Sequence, residues 1–428
     1  MQIIKYPDKN EWSGLLARPQ IDQASLREQV RIILDDVKRN GDEALFRYTK
    51  ILDGYEAKSF KVTGEEFKKA EEQVSDELKA AIRTASKNIE KFHRAQWPED
   101  VVTETTPGIE CRQKAVPINS VGLYIPGGTA PLFSSVMMMA IPARIAGCKD
   151  ILMCTPPGKD GSIDPAILFA AKYAGATKVF KAGGAQAIAA MSYGTESIPK
   201  VDKIFGPGNQ YVTLAKQMVF LDGTAIDMPA GPSEVMVIAD ETTNPEFAAA
   251  DLLSQAEHGP DSQVVLVSTS EKKKKKTRDE LLKILGQIPR RDTARESLKR
   301  SRLMVLEEKD IPEIINYYAP EHLIISTKKP HSLADEVENA GSVFLGPFTP
   351  ESLGDYASGT NHVLPTNGSA KAFSGVNLDS FLKKITFQKA TQEGLNRIGR
   401  DVETMASAEQ LEAHRLAVSM RTKKAAAK

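Results

Sequence analysis

Apolar residues recur at helical spacing near the start of the chain, and short β-rich runs take their place further on. Between residues 22 and 96 this spacing predicts four helices, Gln23 to Lys38, Glu43 to Lys50, Gly64 to Gln73 and Asp76 to Trp97. From Val121 onward, each β-rich run leads into a Gly/Pro turn and then a helical stretch. Such alternation predicts parallel sheets covered by helices on both faces.

The β-rich runs form two series, separated by a Pro/Gly segment near residues 229 to 232. The first series is Val121 to Ile125, Ile151 to Cys154, Lys178 to Phe180 and Val201 to Phe205. The second is Val235 to Ala239, Val264 to Ser268, Leu303 to Leu306, Leu323 to Ser326 and Ser342 to Leu345. Two Rossmann-like α/β domains are therefore predicted. Beyond about Gly375 we expect no strands, only a helical tail too small to fold alone.

Composition narrows the class of partner. The chain has 428 residues, and Lys+Arg and Asp+Glu both number 56, so no overall field favours nucleic acid or an anionic membrane. The longest apolar stretch, Val136 to Ile141, is far short of the roughly 20 residues that span a bilayer, and the N-terminus has no apolar signal core. We expect a cytoplasmic protein that acts on a small molecule.

Three cysteines, Cys111, Cys148 and Cys154, show no CxxC spacing and cannot all pair, which fits a reducing compartment. Each could act as a nucleophile, as in cysteine-dependent aldehyde oxidation. However, Cys154 lies in an apolar run and Cys148 follows Gly147, which favours small buried side chains.

Three glycine turns follow strands of the first series. They are Tyr124-Ile-Pro-Gly127-Gly128, Gly183-Gly184-Ala-Gln186 and Gly206-Pro-Gly208-Asn209. Glycine lets a backbone approach a phosphate at a helix N-terminus, so together these turns indicate a nucleotide pocket. Glycines in α/β turns also serve purely conformational needs, and both the G-x-G-x-x-G fingerprint and the Walker motif are absent. A dinucleotide would have to bind in a non-standard way.

One helix carries two potential metal ligands, Gln255 and His258. Asn244 can cap this helix, and Gly259-Pro260 ends it. On a helix Gln255 and His258 lie about 60° apart, whereas Glu257 points about 100° away from His258. Glutamine is an uncommon zinc ligand, so a polar helix end remains the alternative to a metal site.

Three further segments bring titratable side chains together. They are Glu321 and His322 after Pro320, Asp355 and His362 in a Gly/Ser segment predicted as a loop, and Glu409 and His414 in the tail. Adjacent groups can serve different proton transfers if their surroundings separate their pKa values. Each segment also has an alternative interpretation without a catalytic role. These are the start of a strand for the first pair, a turn for the second and a helix surface for the third.

Six separated blocks resemble the histidinol dehydrogenase family over nearly the whole chain. They are Val121-Gly-Leu-Tyr-Ile-Pro-Gly-Gly, Phe205-Gly-Pro-Gly-Asn, Asp227-Met-Pro-Ala-Gly-Pro-Ser-Glu, Asp251-Leu-Leu-Ser-Gln-Ala-Glu-His-Gly, Ala319-Pro-Glu-His-Leu and Ser352-Leu-Gly-Asp-Tyr-Ala-Ser-Gly-Thr-Asn-His. After Leu364-Pro-Thr366 the chain has Asn367, where an aromatic residue is common in the family; this difference does not involve a catalytic position.

The resemblance implies one zinc ion per subunit, NAD as cofactor and a homodimer whose C-terminal tail reaches the partner's active site. The implied zinc ligands are Gln255, His258, Asp355 and His414. The implied substrate contacts are Ser233, Gln255, His258, His322, Asp355, His362, Glu409 and His414, and the implied NAD contacts are Tyr124, Gln186 and Asn209. The implied domains are an arm (1–20), a zinc/substrate domain (21–123 with 232–376), an NAD domain (124–231) and the tail (377–428).

The implied reaction is oxidation of L-histidinol to L-histidine by two NAD+ through a bound aldehyde. Zinc would hold the substrate imidazole and amino group, and His322 would accept the hydroxyl proton during the first hydride transfer. Glu321 would then activate water to hydrate the aldehyde, with His322 again as the base. The alternatives are a cysteine-dependent aldehyde dehydrogenase and a related zinc/NAD dehydrogenase for another small amino alcohol.

Overall fold

The computed structural model describes residues 1–18, 23–127, 130–228 and 231–423. Gly128 of the first glycine turn and residues 229 and 230 of the Pro/Gly segment lie outside these ranges, as do residues 19 and 20 of the predicted arm. Among the described residues, no helix is both long enough and apolar enough to cross a bilayer.

Strands and helices alternate through most of the described chain. The strands are β1 (Gln2–Lys5), β2 (Val101–Thr106), β3 (Ile109–Pro117), β4 (Ser120–Tyr124), β5 (Asp150–Thr155), β6 (Lys178–Lys181), β7 (Lys203–Phe205), β8 (Ala225–Ile226), β9 (Glu234–Ala239), β10 (Gln263–Ser268), β11 (Arg302–Val305), β12 (His322–Ser326), β13 (Ser342–Leu345) and β14 (Leu382–Ala390). The helices are α1 (Trp12–Leu15), α2 (Gln23–Tyr48), α3 (Gly64–Gln73), α4 (Asp76–Arg94), α5 (Phe133–Ala146), α6 (Pro165–Ala174), α7 (Gly184–Tyr193), α8 (Gln210–Leu221), α9 (Pro245–Ala256), α10 (Glu271–Leu285), α11 (Arg291–Lys299), α12 (Ile311–Tyr318), α13 (Pro330–Ala334), α14 (Glu351–Tyr356), α15 (Gln392–Ala408) and α16 (Glu412–Lys423).

A five-stranded parallel sheet has the order β6-β5-β4-β7-β8. Alternate residues of β5 point to opposite faces, so Ile151 and Met153 enter one apolar cluster while Leu152 and Cys154 enter the other. Helices α3 to α6 cover the first face, and α2, α7 and α8 cover the second. The strand order reverses between β4 and β7, which opens a crevice at their carboxyl ends.

A six-stranded parallel sheet has the order β1-β11-β10-β9-β12-β13. Its order reverses between β9 and β12, which pair in parallel with His322 opposite Val235. Burial on both faces explains the uninterrupted apolar runs that predicted these strands, because Val235 and Val237 face one cluster and Met236 and Ile238 the other. The predicted fold class, two Rossmann-like sheets with a helical N-terminal region and C-terminal helices, is confirmed.

The N-terminal region is divided between the two sheets. β1 adds an edge strand to the six-stranded sheet, where Trp12 is also buried. Helix α2, broken at Gly41 (φ 49°), instead packs on the five-stranded sheet. The residues 21–123 that the resemblance assigns to the zinc/substrate domain thus include a helix, α2, that packs on the five-stranded sheet.

The prediction of no strand beyond Gly375 was wrong. β14 pairs with β3, and β3 with β2, in a three-stranded antiparallel sheet. Eight of the nine β14 residues are exposed, so this strand lacks the buried apolar run that predicted the others. Helices α15 and α16 follow it, and the chain turns between them at Gln410, whose φ is 59°.

Candidate active site

A cleft of about 1410 Å³ lies between the two parallel sheets. The five-stranded sheet lines it with the carboxyl-end turns after β4 and β7, which include Gly127 and Asn209. The six-stranded sheet lines it from the opposite, amino edge, because Ser233 directly precedes β9 and His322 begins β12. Both switch points therefore face one cleft, one by its carboxyl ends and the other by its amino ends.

Glu321 and His322 are held at the entrance to β12. Helix α12 ends at Tyr318 and is capped by Ala319 in a left-handed conformation (φ 51°), and Pro320 follows. Their side chains are nearly buried but line the cleft. Glu321 Oε2 accepts the backbone N–H of Glu234 at 2.8 Å, and His322 Nδ1 lies 3.2 Å from the Glu234 carbonyl oxygen. The two residues are thus anchored to the first peptide groups of β9.

Gln255 and His258 both line the cleft, but only Gln255 lies in a helix. The predicted cap is present, since the Asn244 side chain accepts the Glu246 N–H at 2.9 Å. Helix α9 ends at Ala256, so His258 lies in the turn beyond it and the angle expected from helical spacing does not apply. Gln255 is fully buried, and its Oε1 has no hydrogen-bond partner among the described residues.

Asp355 and His362 meet in the same cleft, although Asp355 lies in helix α14 and not in a loop. Asp355 Oδ1 is 3.4 Å from His322 Nε2. The Asp355 carbonyl lies 2.8 Å from His362 Nδ1, and His362 Nε2 lies 3.0 Å from the Ser135 hydroxyl of α5. His362 therefore links the helix that carries Asp355 to the covering layer of the other sheet.

Glu351 belongs to the site but carried no signal in the sequence. It begins α14 one helical turn before Asp355, is 1% exposed, and its Oε2 has no hydrogen-bond partner among the described residues. Ligand atoms of His322, Glu351 and Asp355 lie within 4.8 Å of one another. Only the i, i+4 spacing to Asp355 could have indicated it.

The carboxylates dominate the electrostatics of the cleft. Burial lowers the pKa of the His322 imidazole, but surrounding acids outweigh it and hold that pKa well above its usual value. These acids are Glu351, Glu321 and Asp355. Burial raises the pKa of Glu351 to about 8, against the charge of His322, which lowers it. For His258, desolvation lowers the pKa despite the opposing charges of Asp355 and Glu321.

The three residues implied as NAD contacts occupy different environments. Asn209 lines the cleft and caps α8, accepting the N–H groups of Tyr211 and Val212 at 3.0 and 3.2 Å. Tyr124 is buried beneath the turns, where its hydroxyl accepts the Gly184 N–H at 3.0 Å. Gln186 is fully buried, and its Nε2 donates to Asp53 at 3.3 Å. Of the three, only Asn209 lines this cleft.

The structure does not bring Glu409 and His414 to the cleft of their own chain. Both are exposed, Glu409 directly after α15 and His414 in α16. Seven other expected residues do line the cleft, namely Ser233, Gln255, His258, Glu321, His322, Asp355 and His362.

The cysteines lie away from the cleft. Cys148 and Cys154 are buried, as the sequence predicted, and Cys111 is half-buried on β3. Burial raises the pKa of Cys148 to about 12 and that of Cys154 still further, which disfavours a thiolate. Among the described residues that line the cleft there is no cysteine.

Comparisons with known proteins give one consistent match. The family profile described as histidinol dehydrogenase matches residues 16–422. Histidinol dehydrogenase from Bacteroides fragilis is 58% identical over 422 residues, 98% of this chain and 99% of that protein. The Escherichia coli protein of that name is 52% identical over 411 residues, 95% of this chain and 94% of its own. A crystal structure of histidinol dehydrogenase from Elizabethkingia anophelis matches with a TM-score of 0.96 at 52% identity, covering 99% of this chain and 98% of that one.

Proposed function

The chain belongs to the histidinol dehydrogenase family, a family of NAD-dependent oxidoreductases, and on that premise we propose that it oxidises L-histidinol to L-histidine in two NAD+-dependent steps through a bound aldehyde. The observation that carries the proposal is the convergence of Glu321, His322 and Asp355 on one cleft with the glycine turns of the other sheet. A family of this kind uses a metal as well as NAD.

The metal would be held by Gln255, His258 and Asp355 of this chain. The donor set fits: Gln255 Oε1 is buried and unpartnered among the described residues, while its Nε2 donates to the Glu234 carbonyl at 3.3 Å. An imidazole and a carboxylate line the cleft beside it, which is a nitrogen and oxygen set suited to Zn2+. When bound, zinc supplies a Lewis acid that holds and orients the substrate, and NAD+ supplies the hydride acceptor.

His322 is proposed as the general base, and its neighbours determine which ring nitrogen can accept the proton. Its Nδ1 lies against the Glu234 carbonyl, which leaves Nε2, near Asp355, to accept the substrate proton. The carboxylates raise the pKa of His322, which favours the imidazolium that forms once the imidazole has accepted the substrate proton. Glu321 lies beside it and activates water for the aldehyde step.

We further propose a homodimer in which Glu409 and His414 enter the partner's cleft. Both are exposed in their own chain, and α15, α16 and the turn between them expose large apolar side chains, at Met405, Leu411, Leu416 and Met420. β14 also exposes Ile385 and Phe387, so the antiparallel sheet and the helical pair both offer apolar surface to a second copy. A cytoplasmic location accords with the three unpaired cysteines.

The alternative of cysteine-dependent aldehyde oxidation lacks its nucleophile, since no cysteine is found among the described residues that line the cleft. Replacing all three cysteines by Ala is therefore expected to leave turnover largely intact. A different small amino alcohol is the other candidate substrate. The proposed zinc site would bind the imidazole ring of histidinol, which favours histidinol over amino alcohols without a ring nitrogen.

The primary experiment measures NADH formed per histidinol consumed by the zinc-loaded protein. Two NADH are expected, with histidine as the product. One NADH with released aldehyde would contradict the two-step proposal, and no NADH would overturn the function.

Mixing His322→Ala and His414→Ala variants tests tail exchange. If the tail acts across the dimer, a mixed dimer keeps one intact site, so up to about a quarter of wild-type activity returns although each variant alone is nearly inactive. Failure of the mixture to regain activity, with mixed dimers detected by mass spectrometry, would contradict tail exchange.

A further inference from the structure

Arg18 and Glu234 form an ion pair at the wall of the cleft. The Glu234 side chain is 3% exposed and the Arg18 side chain 19% exposed. Arg18 uses two nitrogens of its guanidinium, with Nη2 2.9 Å from Glu234 Oε2 and Nε on the other carboxylate oxygen. This two-point geometry constrains the carboxylate in both position and orientation.

The backbone of Glu234 carries three of the site residues. Its N–H donates to Glu321 Oε2 at 2.8 Å. Its carbonyl oxygen lies 3.2 Å from His322 Nδ1 and accepts Gln255 Nε2 at 3.3 Å. A small displacement of this one residue would therefore move the proposed base, its neighbouring acid and a proposed metal ligand together.

Arg18 also contacts Tyr318, the last residue of α12. Its guanidinium stacks over the Tyr318 ring at 4.1 Å, and Nη2 donates to the Tyr318 carbonyl at 2.7 Å. Tyr318 ends α12, three residues before Glu321. The Asn367 N–H donates to Glu234 Oε1 at 3.1 Å, which ties in the segment after residue 366. Arg18 thus joins β9 to the helix that leads into Glu321 and His322.

We propose that Arg18 is a positioning residue for proton transfer, which aligns Glu321 and His322 through the Glu234 ion pair. The inference rests on the proposed function, in which those two residues move the protons. The N–H donors on Nε and Nη2 of Arg18 are committed to Glu234 and Tyr318, so in this arrangement Arg18 orients the Glu234 carboxylate.

Charge strengthens the case for arginine at this place. Glu234 and Glu321 are two acids in one buried region, and Arg18 is the cation paired with Glu234 there. Without Arg18, the buried Glu234 carboxylate would lose its cation, and a shift of Glu234 toward solvent would disturb its backbone contacts. Lysine would keep the charge but lose the two-point geometry.

The test compares Arg18→Met and Arg18→Lys with Arg302→Met as a matched control. Arg302 Nε donates to the Leu15 carbonyl at 2.7 Å, so it anchors the same N-terminal segment without touching Glu234. In the zinc-loaded protein we expect Arg18→Met to lower kcat by about tenfold to a hundredfold, with KM for NAD+ within about twofold of wild type because the glycine turns lie on the other sheet. Arg18→Lys should fall between, and Arg302→Met should keep the wild-type kcat.

Equal kcat values for folded Arg18→Met and Arg302→Met, with both near wild type, would overturn the inference. An equal loss in both would also overturn it, because anchoring of the segment alone would then explain the effect. If Arg18→Met does not fold, Glu234→Gln removes the ion pair with little change in shape. A wild-type kcat in Glu234→Gln would then overturn the inference. Wild-type protein that forms no NADH from histidinol would instead overturn the proposed function.

Discussion

Lys216 and Asp227 form an ion pair in which each side chain is 2% exposed, and together they hold both backbone polar groups of Gly206. The Gly206 N–H donates to Asp227 Oδ2 at 2.8 Å, and its carbonyl accepts Lys216 Nζ at 2.8 Å. Gly206 opens the turn before Asn209, and Asp227 precedes the crossover to the second sheet. One buried pair thus braces the turn that faces the cleft.

Lys216→Met is expected to destabilise the protein by about 3–5 kcal/mol, since it leaves Asp227 buried without a cation. The double variant Lys216→Met/Asp227→Asn should recover part of that loss, because Asn can still accept the Gly206 N–H. Free energies of unfolding from urea titrations give the comparison. A single variant as stable as wild type would contradict the role of the pair.

Gly206→Ala is expected to weaken NAD+ binding more than histidinol binding. Gly206 has φ 123°, and an added Cβ would lie 2.1 Å from the Tyr124 carbonyl oxygen, so the turn must move. Gly223→Ala is the matched control, since Gly223 also has positive φ (97°), but a Cβ added there would meet no atom of the described residues within 4 Å. KM values for both substrates decide the matter, and equal effects of the two variants would argue against a cofactor role for the turn.

His322→Ala is expected to lower kcat by about 10²- to 10⁴-fold, the usual loss on removing a general base. Bound zinc should be retained, because His322 is not among the proposed ligands. His331→Ala, which changes an exposed histidine of α13, serves as the control. Turnover is measured together with metal content, and wild-type turnover in His322→Ala would remove His322 from the mechanism.

Asp53→Asn is expected to make stability less dependent on pH. Burial raises the pKa of Asp53 from 3.8 to about 6, against the hydrogen bond from Gln186. An acid whose pKa is higher in the folded state binds its proton more tightly there, so wild-type stability falls as pH rises from about 4 to 6 and stays lower above that.

The Asp53→Asn variant should therefore be more stable than wild type at pH 7, and the difference should shrink as the pH approaches 4. Unfolding free energies of both proteins at pH 4, 5.5 and 7 test this. A difference that does not vary with pH would mean that Asp53 is not desolvated in the folded protein.

Much of the fold was accessible from the sequence because buried parallel strands leave a strong local pattern. The nine strands predicted in the two series all occur, most of them within one residue at either end. β14 was missed because it is paired on one side with β3 and exposes nearly all its side chains. Its stability comes from pairing with a segment more than 260 residues earlier, which no local period records.

The candidate site was also only partly predictable from local sequence patterns. Motifs located Glu321, His322 and Asp355, but gave no indication of Glu351 or of the anchoring by Arg18 and Glu234. Those residues matter through contacts with distant segments, such as the 216 positions that separate Arg18 from Glu234. Contacts of that kind depend on how the sheets and helices pack, and not on neighbours in the chain.

By itself, the sequence determined the alternation of strands and helices, the capped start of α9 and the family, because periodicity, caps and motifs are local properties. Only the tertiary structure decided that one sheet meets the cleft with its carboxyl edge and the other with its amino edge. Packing also leaves Gln255 Oε1 buried with no hydrogen-bond partner among the described residues, and it buries Tyr124 and Gln186. The reason is physical: strand order and side-chain desolvation are set by packing between segments that are far apart in the chain.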